Sequence, residues 1–198
     1  NIMKLITKRD RWINDTYNKA FYFLFGGLDD STIKIGDHRP IEKETISSSE
    51  ATMTTWLLNI DRSYQLLNKE FKIKSTQMKK LNWIDVGCGS GIASIYATYK
   101  YKINNQLLFD FDERNISLAK KNYILAKKSV LLWNNITSQK IISANAKDIL
   151  INDYFKDSCL IYMFNPFNET IMEKFLITNR AFLKESKSII IYINDKYD

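Results

Sequence analysis

The stretch Leu81–Gly91, with the sequence LNWIDVGCGSG, decides the fold of this 198-residue chain. A short apolar run reaches the acidic residue Asp85, and glycines follow at the three alternate positions 87, 89 and 91. A helical pattern of apolar residues begins directly afterwards. The stretch therefore predicts a buried strand, a tight turn and a helix N-terminus, at a position where α/β sheets bind ligands.

The residues after this glycine turn (Gly87–Gly91) repeat the unit of a strand followed by a helix. We predict strands over about 82–86, 106–110, 139–144, 158–164 and 187–194, and helices over about 91–101, 114–128 and 168–183. Strands that alternate with helices of this length require parallel crossovers. We therefore expect an α/β core domain with a parallel sheet over residues 81–198.

Residues 1–80 are predicted to form a separate N-terminal helical extension. A first helix over 2–25 has an apolar face and ends at the glycine pair Gly26 and Gly27. The residues expected on that face, and therefore in the core, are Leu5, Trp12, Ile13, Ala20, Phe21 and Leu24.

The second half of this extension is predicted to contain another helix. Ser47–Ser49 offer N-caps, and the helix should run from Glu50 to about Asn68 with Trp56 on its buried side. The basic stretch over 71–80 that follows is predicted to be a solvated loop.

The composition limits the classes of protein and of site. The longest apolar runs are far shorter than the roughly 20 residues that cross a bilayer, so a soluble, cytoplasmic protein without a membrane segment is expected. Cys88 and Cys159 form no disulfide framework, and with His38 as the single histidine no metal site is expected. The net charge of +7 allows nucleic acid as a partner, although a genome-wide bias toward Lys, Asn and Ile is the favoured explanation.

The residues of the glycine turn discriminate among ligands. A phosphate-binding P-loop requires Gly-Lys-Ser/Thr, which Ser90-Gly91-Ile92 does not provide. The dinucleotide pattern G-x-G-x-x-G has Ile92 at its last position, and the charge of Asp85 is unfavourable beside a pyrophosphate. An acidic residue at this place suits a nucleoside that carries an ammonium and no phosphate, such as S-adenosylmethionine (SAM).

The segment Ile84–Gly91 resembles the first motif of class I SAM-dependent methyltransferases. The resemblance implies a Rossmann-like sheet with strand order 3-2-1-4-5 and SAM as the cofactor. In that family the glycine turn, here Gly87, Cys88, Gly89 and Gly91, packs against the methionine and ribose portions, and Asp85 would reach the methionine ammonium. The family usually ends with two further strands. Because this sequence stops at Asp198, either five strands or a pair outside the chain is expected.

A second motif follows at the interval that the family shows. Asp110 ends the next predicted strand 19 residues after Gly91, where an acidic residue accepts both ribose hydroxyls. The helix pattern with Ala119 and Asn122 selects Asp110 over Asp112, which becomes a candidate N-cap. The neighbouring Phe111 is included in the predicted cofactor site.

The third motif departs from the family pattern. Asn145 and Ala146 stand where the family has an acidic residue followed by alanine. The Asn145 side chain would accept a hydrogen bond from the adenine amino group. Asp148 is the competing candidate, and a helix-cap role is the structural alternative for both.

The fourth motif concerns the methyl acceptor. Asn165, Pro166 and Phe167 follow an apolar strand, where methyltransferases acting on planar amino nitrogens carry Asp/Asn-Pro-Pro-aromatic. By resemblance these three residues form the catalytic site and orient the acceptor, although the second proline is missing. The resemblance extends to small bacterial methyltransferase-like proteins with Asn-Pro-Phe at this place. The alternative is a proline turn that leads into a helix capped by Asn168.

In the same group of proteins, a Glu-Ala/Pro-Thr segment opens the helix before the core, and Glu50-Ala51-Thr52 is similar to it. The N-terminal extension would then cover the cofactor as a lid. The sequence thus predicts a SAM-dependent methyltransferase of unidentified acceptor, with an amino nitrogen of a protein or nucleic acid as one candidate. A non-catalytic SAM-binding or scaffold module is the alternative, and an NAD-dependent oxidoreductase fits the fold but not the turn.

Overall fold

A computed structural model describes residues 8–31, 55–129, 138–164 and 167–193 of the chain. Within these residues, five strands form one sheet in the order β3-β2-β1-β4-β5, and every neighbouring pair is parallel. The strands are β1 (Asn82–Val86), β2 (Asn105–Asp110), β3 (Ser138–Ser143), β4 (Cys159–Phe164) and β5 (Ile189–Ile193). The predicted α/β fold with strand order 3-2-1-4-5 is therefore confirmed.

The helices lie where the core pattern predicts them, within a few residues. The helices are α1 (Lys8–Leu24), α2 (Leu57–Phe71), α3 (Ser75–Met78), α4 (Ile92–Tyr101), α5 (Glu113–Lys127) and α6 (Glu169–Ser186), and two short 3-10 helices cover Ala146–Asp148 and Ile151–Asp153. Among the helices of the described residues, none combines the length and low polarity that crossing a bilayer requires.

The sheet is covered on both faces, which explains why its central strands are almost continuously apolar. Trp83 and Tyr162 belong to one buried cluster, whereas Ile84 and Ile161 belong to a second. Since consecutive strand residues point to opposite faces, Asp85 lies on the same face as Trp83. This is the face on which α1, α2, α4 and α5 pack.

The buried face of α1 differs from the predicted one. Trp12 is 72% exposed and Leu24 is 53% exposed, whereas Asn14, Asn18 and Phe21 are buried. The prediction was wrong for Trp12, Ile13, Ala20 and Leu24 because it ranked residues by hydrophobicity alone; Leu5 lies outside the described residues. The end of the helix is as predicted, with Gly26 and Gly27 at positive φ.

The two buried asparagines of α1 cap the N-terminus of α2. The side-chain oxygens of Asn18 and Asn14 accept hydrogen bonds from the backbone N–H groups of Leu57 and Leu58, both at 3.4 Å. These contacts satisfy donors that a helix N-terminus leaves free. The predicted continuous helix from Glu50 is wrong, because the backbone at Trp56 is extended and α2 begins at Leu57.

The basic stretch over 71–80 is also more ordered than predicted. It contains the one-turn helix α3, and the Gln77 side chain accepts a hydrogen bond from the Lys74 N–H at 2.8 Å. Met78 is almost fully buried. The stretch is therefore attached to the core immediately before β1.

Candidate functional site

The glycine turn leaves β1 and folds back on the neighbouring strand β2. The N–H groups of Gly87 and Cys88 both donate to the Phe109 carbonyl oxygen at 3.0 Å, and the Gly91 N–H donates to the Cys88 carbonyl oxygen at 2.8 Å. Gly87, Gly89 and Gly91 all have φ between 50° and 74°. Positive φ of this kind is strained for residues with a Cβ atom, so the alternating glycines have a direct backbone reason.

Gly91 has a second role in packing. A Cβ atom built on it would lie 3.1 Å from the Ala119 Cβ and 3.4 Å from a ring carbon of Tyr123. Both of these residues belong to α5. The absence of a side chain at Gly91 therefore lets the start of α4 approach α5 closely.

Asp85 is buried behind the turn, with 3% of its surface exposed. Its carboxylate accepts a hydrogen bond from the Ser94 hydroxyl at 2.5 Å, and that hydroxyl accepts one from the Trp83 indole N–H at 2.8 Å. Burial raises the pKa of Asp85 to about 7; the Ser94 bond lowers it and the nearby Asp110 charge raises it. A cation bound beside Asp85 would favour its ionised form.

Asp110 connects the end of β2 to the glycine turn. Its carboxylate accepts hydrogen bonds from the N–H of Gly89 at 3.0 Å and from the N–H of Asp112 at 2.9 Å. Burial raises the pKa of Asp110, while the bonds from Asp112, Gly89 and Asn115 lower it. The carboxylate is thus fixed against the turn.

The residues next to Asp110 have structural roles. Asp112 is the N-cap of α5, since its side chain accepts from the Arg114 N–H at 2.9 Å and forms an ion pair with the Arg114 guanidinium at 2.8 Å. Phe111, which stands between Asp110 and Asp112 in the sequence, is half-buried.

Burial raises the pKa of the Cys88 thiol well above its usual value, and the Asp110 and Asp85 charges add to this effect. The thiol therefore stays protonated at neutral pH.

The third motif forms a short helical cap. The Asn145 side-chain oxygen accepts from the Lys147 N–H at 3.3 Å, at the start of the 3-10 helix Ala146–Asp148. Ala146 is buried and Asp148 is exposed. The cap is the structural alternative that the sequence allowed for Asn145, and its contact with adenine stays a prediction.

Of the three residues predicted to hold the acceptor, Asn165 and Pro166 lie outside the described residues, as do Glu50 and Thr52 of the predicted lid. Phe167 is described and is only 7% exposed, packed in the second core cluster. Asn168 caps α6 by accepting from the Ile171 N–H at 3.2 Å. The capping alternative is therefore observed, while the catalytic role of the motif remains a prediction.

A carboxylate that the sequence reasoning missed, Asp30, lies against the glycine turn. It accepts hydrogen bonds from the Ser90 hydroxyl, from the Tyr22 hydroxyl at 2.7 Å and from the Thr55 N–H at 3.2 Å. Burial raises the pKa of Asp30, whereas the bonds from Ser90 and Tyr22 lower it. The acidic pair Asp29 and Asp30, which follows Gly26, Gly27 and Leu28, is the signal in the sequence, but its hydrogen-bond partners are distant in the chain.

Asn122 forms the second connection between this acidic segment and the turn. Its side-chain N–H₂ donates to the Ser90 carbonyl oxygen at 2.9 Å and to the Asp29 carbonyl oxygen at 2.7 Å. Its side-chain oxygen accepts from the Asp29 N–H at 3.0 Å. The sequence reasoning used Asn122 only to set the register of the second motif.

The parallel sheet, with the glycine turn and two buried carboxylates on adjacent strands, has a Rossmann-like fold. The sequence model of the methyltransferase small domain matches residues 57–198. The chain therefore belongs to the methyltransferase small domain family, and the resemblance to class I SAM-dependent methyltransferases is confirmed.

Solved structures with related folds are similar to this chain only at low identity. PKMT2 from Rickettsia typhi in complex with AdoHcy is 19% identical with a TM-score of 0.42, over 62% of this chain and 21% of that chain. The plantazolicin methyltransferase BamL, in complex with a triazolic desmethylPZN analog and SAH, is 19% identical with a TM-score of 0.32. The match covers 62% of this chain and 48% of that chain.

The [4+2]-cyclase SpnF is 11% identical with a TM-score of 0.40, over 84% of this chain and 55% of its own. The chain thus covers less than two thirds of each of these three proteins. No curated protein matches the chain.

Proposed function

We propose that the protein transfers a methyl group from SAM to an acceptor that is still unidentified. One observation carries the proposal: the Asp110 carboxylate, at the carboxyl end of β2, is held against the glycine turn by the Gly89 N–H at 3.0 Å. This arrangement supports the proposal, because ribose hydroxyls could donate to the carboxylate while the glycine backbone beside it lets a nucleoside approach closely. Membership of the methyltransferase small domain family supports the same chemistry.

The residues at this edge have hydrogen-bonding capacity left for such a nucleoside. A carboxylate offers about four lone-pair sites, and the described residues donate to Asp110 from the Gly89 N–H, the Asp112 N–H and the Asn115 side chain. Among the described residues, only Ser94 donates to Asp85. The Ser143 hydroxyl, which lies in register with Asp110 on β3, is buried and has no partner within the described part of the chain. These features fit a polar ligand across the ends of β1, β2 and β3.

When bound, SAM would supply an electrophilic methyl group: the acceptor nitrogen would bond to the methyl carbon as the S–CH₃ bond breaks, with SAH as the leaving group and the proton of the acceptor passing to solvent. In the proposed site Asp85 holds the amino-acid end, Asp110 the ribose and Asn145 the adenine. Asn165 and Phe167 orient the acceptor. No strong base is required for a neutral amino nitrogen, because correct positioning supplies most of the rate enhancement. The protonated Cys88 thiol does not compete as a nucleophile.

The acceptor class is proposed from the Asn-Pro-Phe sequence and the net charge of +7. An Asn side chain and an aromatic ring suit an amino nitrogen, and a basic chain attracts nucleic acid or an acidic protein. We therefore propose amino nitrogens of proteins and nucleic acids as the first acceptors to examine.

A second candidate function is a SAM-binding module without catalysis. The burial of Phe167 in the core and the capping role of Asn145 favour it, since both side chains already have structural partners. The two functions make the same prediction for cofactor binding and opposite predictions for methyl transfer.

Methyl transfer can be tested with SAM that carries a radiolabelled methyl group. The protein is incubated with this SAM and with separate protein, RNA and DNA fractions of a cell extract, beside an Asp110→Ala variant as the control. The proposed function predicts label in one fraction with the wild type and little with the variant. Tight SAM binding with no label in any fraction would favour the non-catalytic module.

A further inference from the structure

The Tyr162 hydroxyl is a buried polar group that has no hydrogen-bond partner among the described residues. Tyr162 lies in β4, is 2% exposed, and stacks on Trp83 with 5.3 Å between ring centroids. Burying a hydroxyl without a partner costs on the order of 1–3 kcal/mol. Packing alone would be served as well by phenylalanine, so the hydroxyl indicates a partner that is not part of the described chain.

The position of Tyr162 places this hydroxyl close to the predicted cofactor site. Tyr162 is the direct pairing partner of Asp85 across β4 and β1, so the two side chains lie on the same face of the sheet. Burial raises the pKa of Tyr162, and the nearby carboxylates of Asp85 and then Asp30 raise it further. The unpartnered hydroxyl therefore lies in a region that two carboxylates also face.

The charge of this region is not balanced by any cation of the described residues. No Lys or Arg of the described ranges forms an ion pair with Asp30 or Asp85. Ser94 uses one oxygen of Asp85, and among the described residues no donor uses the other. A buried negative region with open acceptors is suited to a ligand cation that also donates hydrogen bonds.

We propose that the Tyr162 hydroxyl, beside Asp85, accepts a hydrogen bond from the ammonium group of the methyl donor, and that Asp30 of the N-terminal region adds a second negative charge to this subsite. An ammonium has three N–H donors and no acceptor, so it matches a site that offers carboxylate oxygens and a hydroxyl oxygen able to accept. The inference rests on the proposed function, since it assigns residues to one end of the same ligand. It makes the segment after α1 part of the cofactor site.

Tyr162→Phe is a precise test because it keeps the ring and the contact with Trp83 and removes only the hydroxyl. Three ligands are titrated calorimetrically into wild type and variant: SAH, a deaminated analogue of SAH that keeps its carboxylate, and 5′-methylthioadenosine, which lacks the whole amino-acid portion. A hydrogen bond to a charged group corresponds to a change of roughly tenfold or more in affinity. We expect a loss of about that size for SAH, and less than about twofold for the other two ligands.

Two further variants separate local from general effects. Tyr101→Phe removes a buried hydroxyl, bonded to Asp61, at the far end of α4, and should leave all three affinities unchanged. Asp30→Asn keeps the shape of the side chain and removes its charge. This variant should lose more affinity for SAH than for the deaminated analogue.

The outcomes distinguish this inference from the proposed function. An unchanged affinity of Tyr162→Phe for SAH, as expected if the hydroxyl contacts only a water molecule, overturns the inference and leaves the function intact. If Tyr162→Phe loses the same factor of affinity for SAH and for the deaminated analogue, the hydroxyl does not contact the ammonium group. This result also overturns the inference and leaves the proposed function intact. If folded wild-type protein binds none of the three ligands, the proposed function is overturned and the inference with it.

Discussion

The hydroxyl of Ser90, in the middle of the glycine turn, donates a hydrogen bond to the carboxylate of Asp30, which lies 60 positions earlier in the chain. Asn122 reinforces this connection by bonding both Ser90 and Asp29. The segment after α1 therefore contacts the predicted cofactor turn directly. The division of the chain into an extension over 1–80 and a core domain over 81–198 stays a prediction.

The Asn122 connection predicts that this contact supports ligand binding. Asn122→Ala removes three hydrogen bonds between α5, Ser90 and Asp29, so the turn loses its support. We expect the free energy of unfolding to fall by about 1–3 kcal/mol and the affinity for SAH to fall as well. Urea unfolding and calorimetry measure the two effects, with the exposed neighbour Lys121→Ala as the control. Unchanged SAH affinity in a folded Asn122→Ala protein would contradict the supporting role.

Two glycines with similar backbones predict different costs of substitution. Gly91 has φ +74° and its added Cβ would lie 3.1 Å from Ala119, whereas Gly27 has φ +85° and nothing within 4 Å. Gly27→Ala should cost about 1 kcal/mol from backbone strain alone, and Gly91→Ala should cost roughly 1–3 kcal/mol more from overpacking. Chemical denaturation of both variants measures the difference. Equal losses would contradict the close approach of α4 to α5.

The raised pKa of Asp85 predicts how stability depends on pH. The pKa of Asp85 is about 7 in the folded chain against an ordinary value of 3.8, so between these values the folded state holds a proton that the unfolded state releases. The free energy of unfolding should therefore fall as pH rises through this window. Burial also raises the pKa of Asp110 and Asp30, which act in the same direction.

Asp85→Asn removes the titrating group and should flatten this dependence. Urea unfolding between about pH 5 and about pH 8 compares wild type with the variant. Bound SAH should oppose the fall in wild type, because its ammonium stabilises the ionised carboxylate. Identical pH profiles for the two proteins without ligand would show that Asp85 is not the group responsible.

The sequence predicted those parts of the fold that depend on local patterns. Apolar runs of strand length separated by helices require parallel crossovers, and this fixed the sheet to which Asp85 and Asp110 belong. Their placement on adjacent strands follows from the motif spacing. The helix cap at Asp112 followed from the same register.

The contacts that the sequence did not reveal join residues far apart in the chain. Asn14 and Asn18 are polar, and only the position of Leu57 and Leu58 shows why α1 buries them. Likewise, only the hydrogen bond from the Ser90 hydroxyl shows that Asp30 lies against the glycine turn. Tertiary hydrogen bonds of this kind override the hydrophobic pattern that predicts a buried helix face.

The central claim is that Asp85 and Asp110 bind the amino-acid end and the ribose of a SAM-type nucleoside at the glycine turn. Calorimetric titration of SAM and SAH into wild type, Asp110→Ala and the exposed neighbour Glu113→Ala tests it most directly. The account predicts saturable binding to wild type and Glu113→Ala, and a loss of roughly tenfold or more for Asp110→Ala, since two charge-assisted hydrogen bonds to the ribose are removed. Folded wild-type protein that binds neither ligand, or an Asp110→Ala variant that binds both as tightly as wild type, would contradict it.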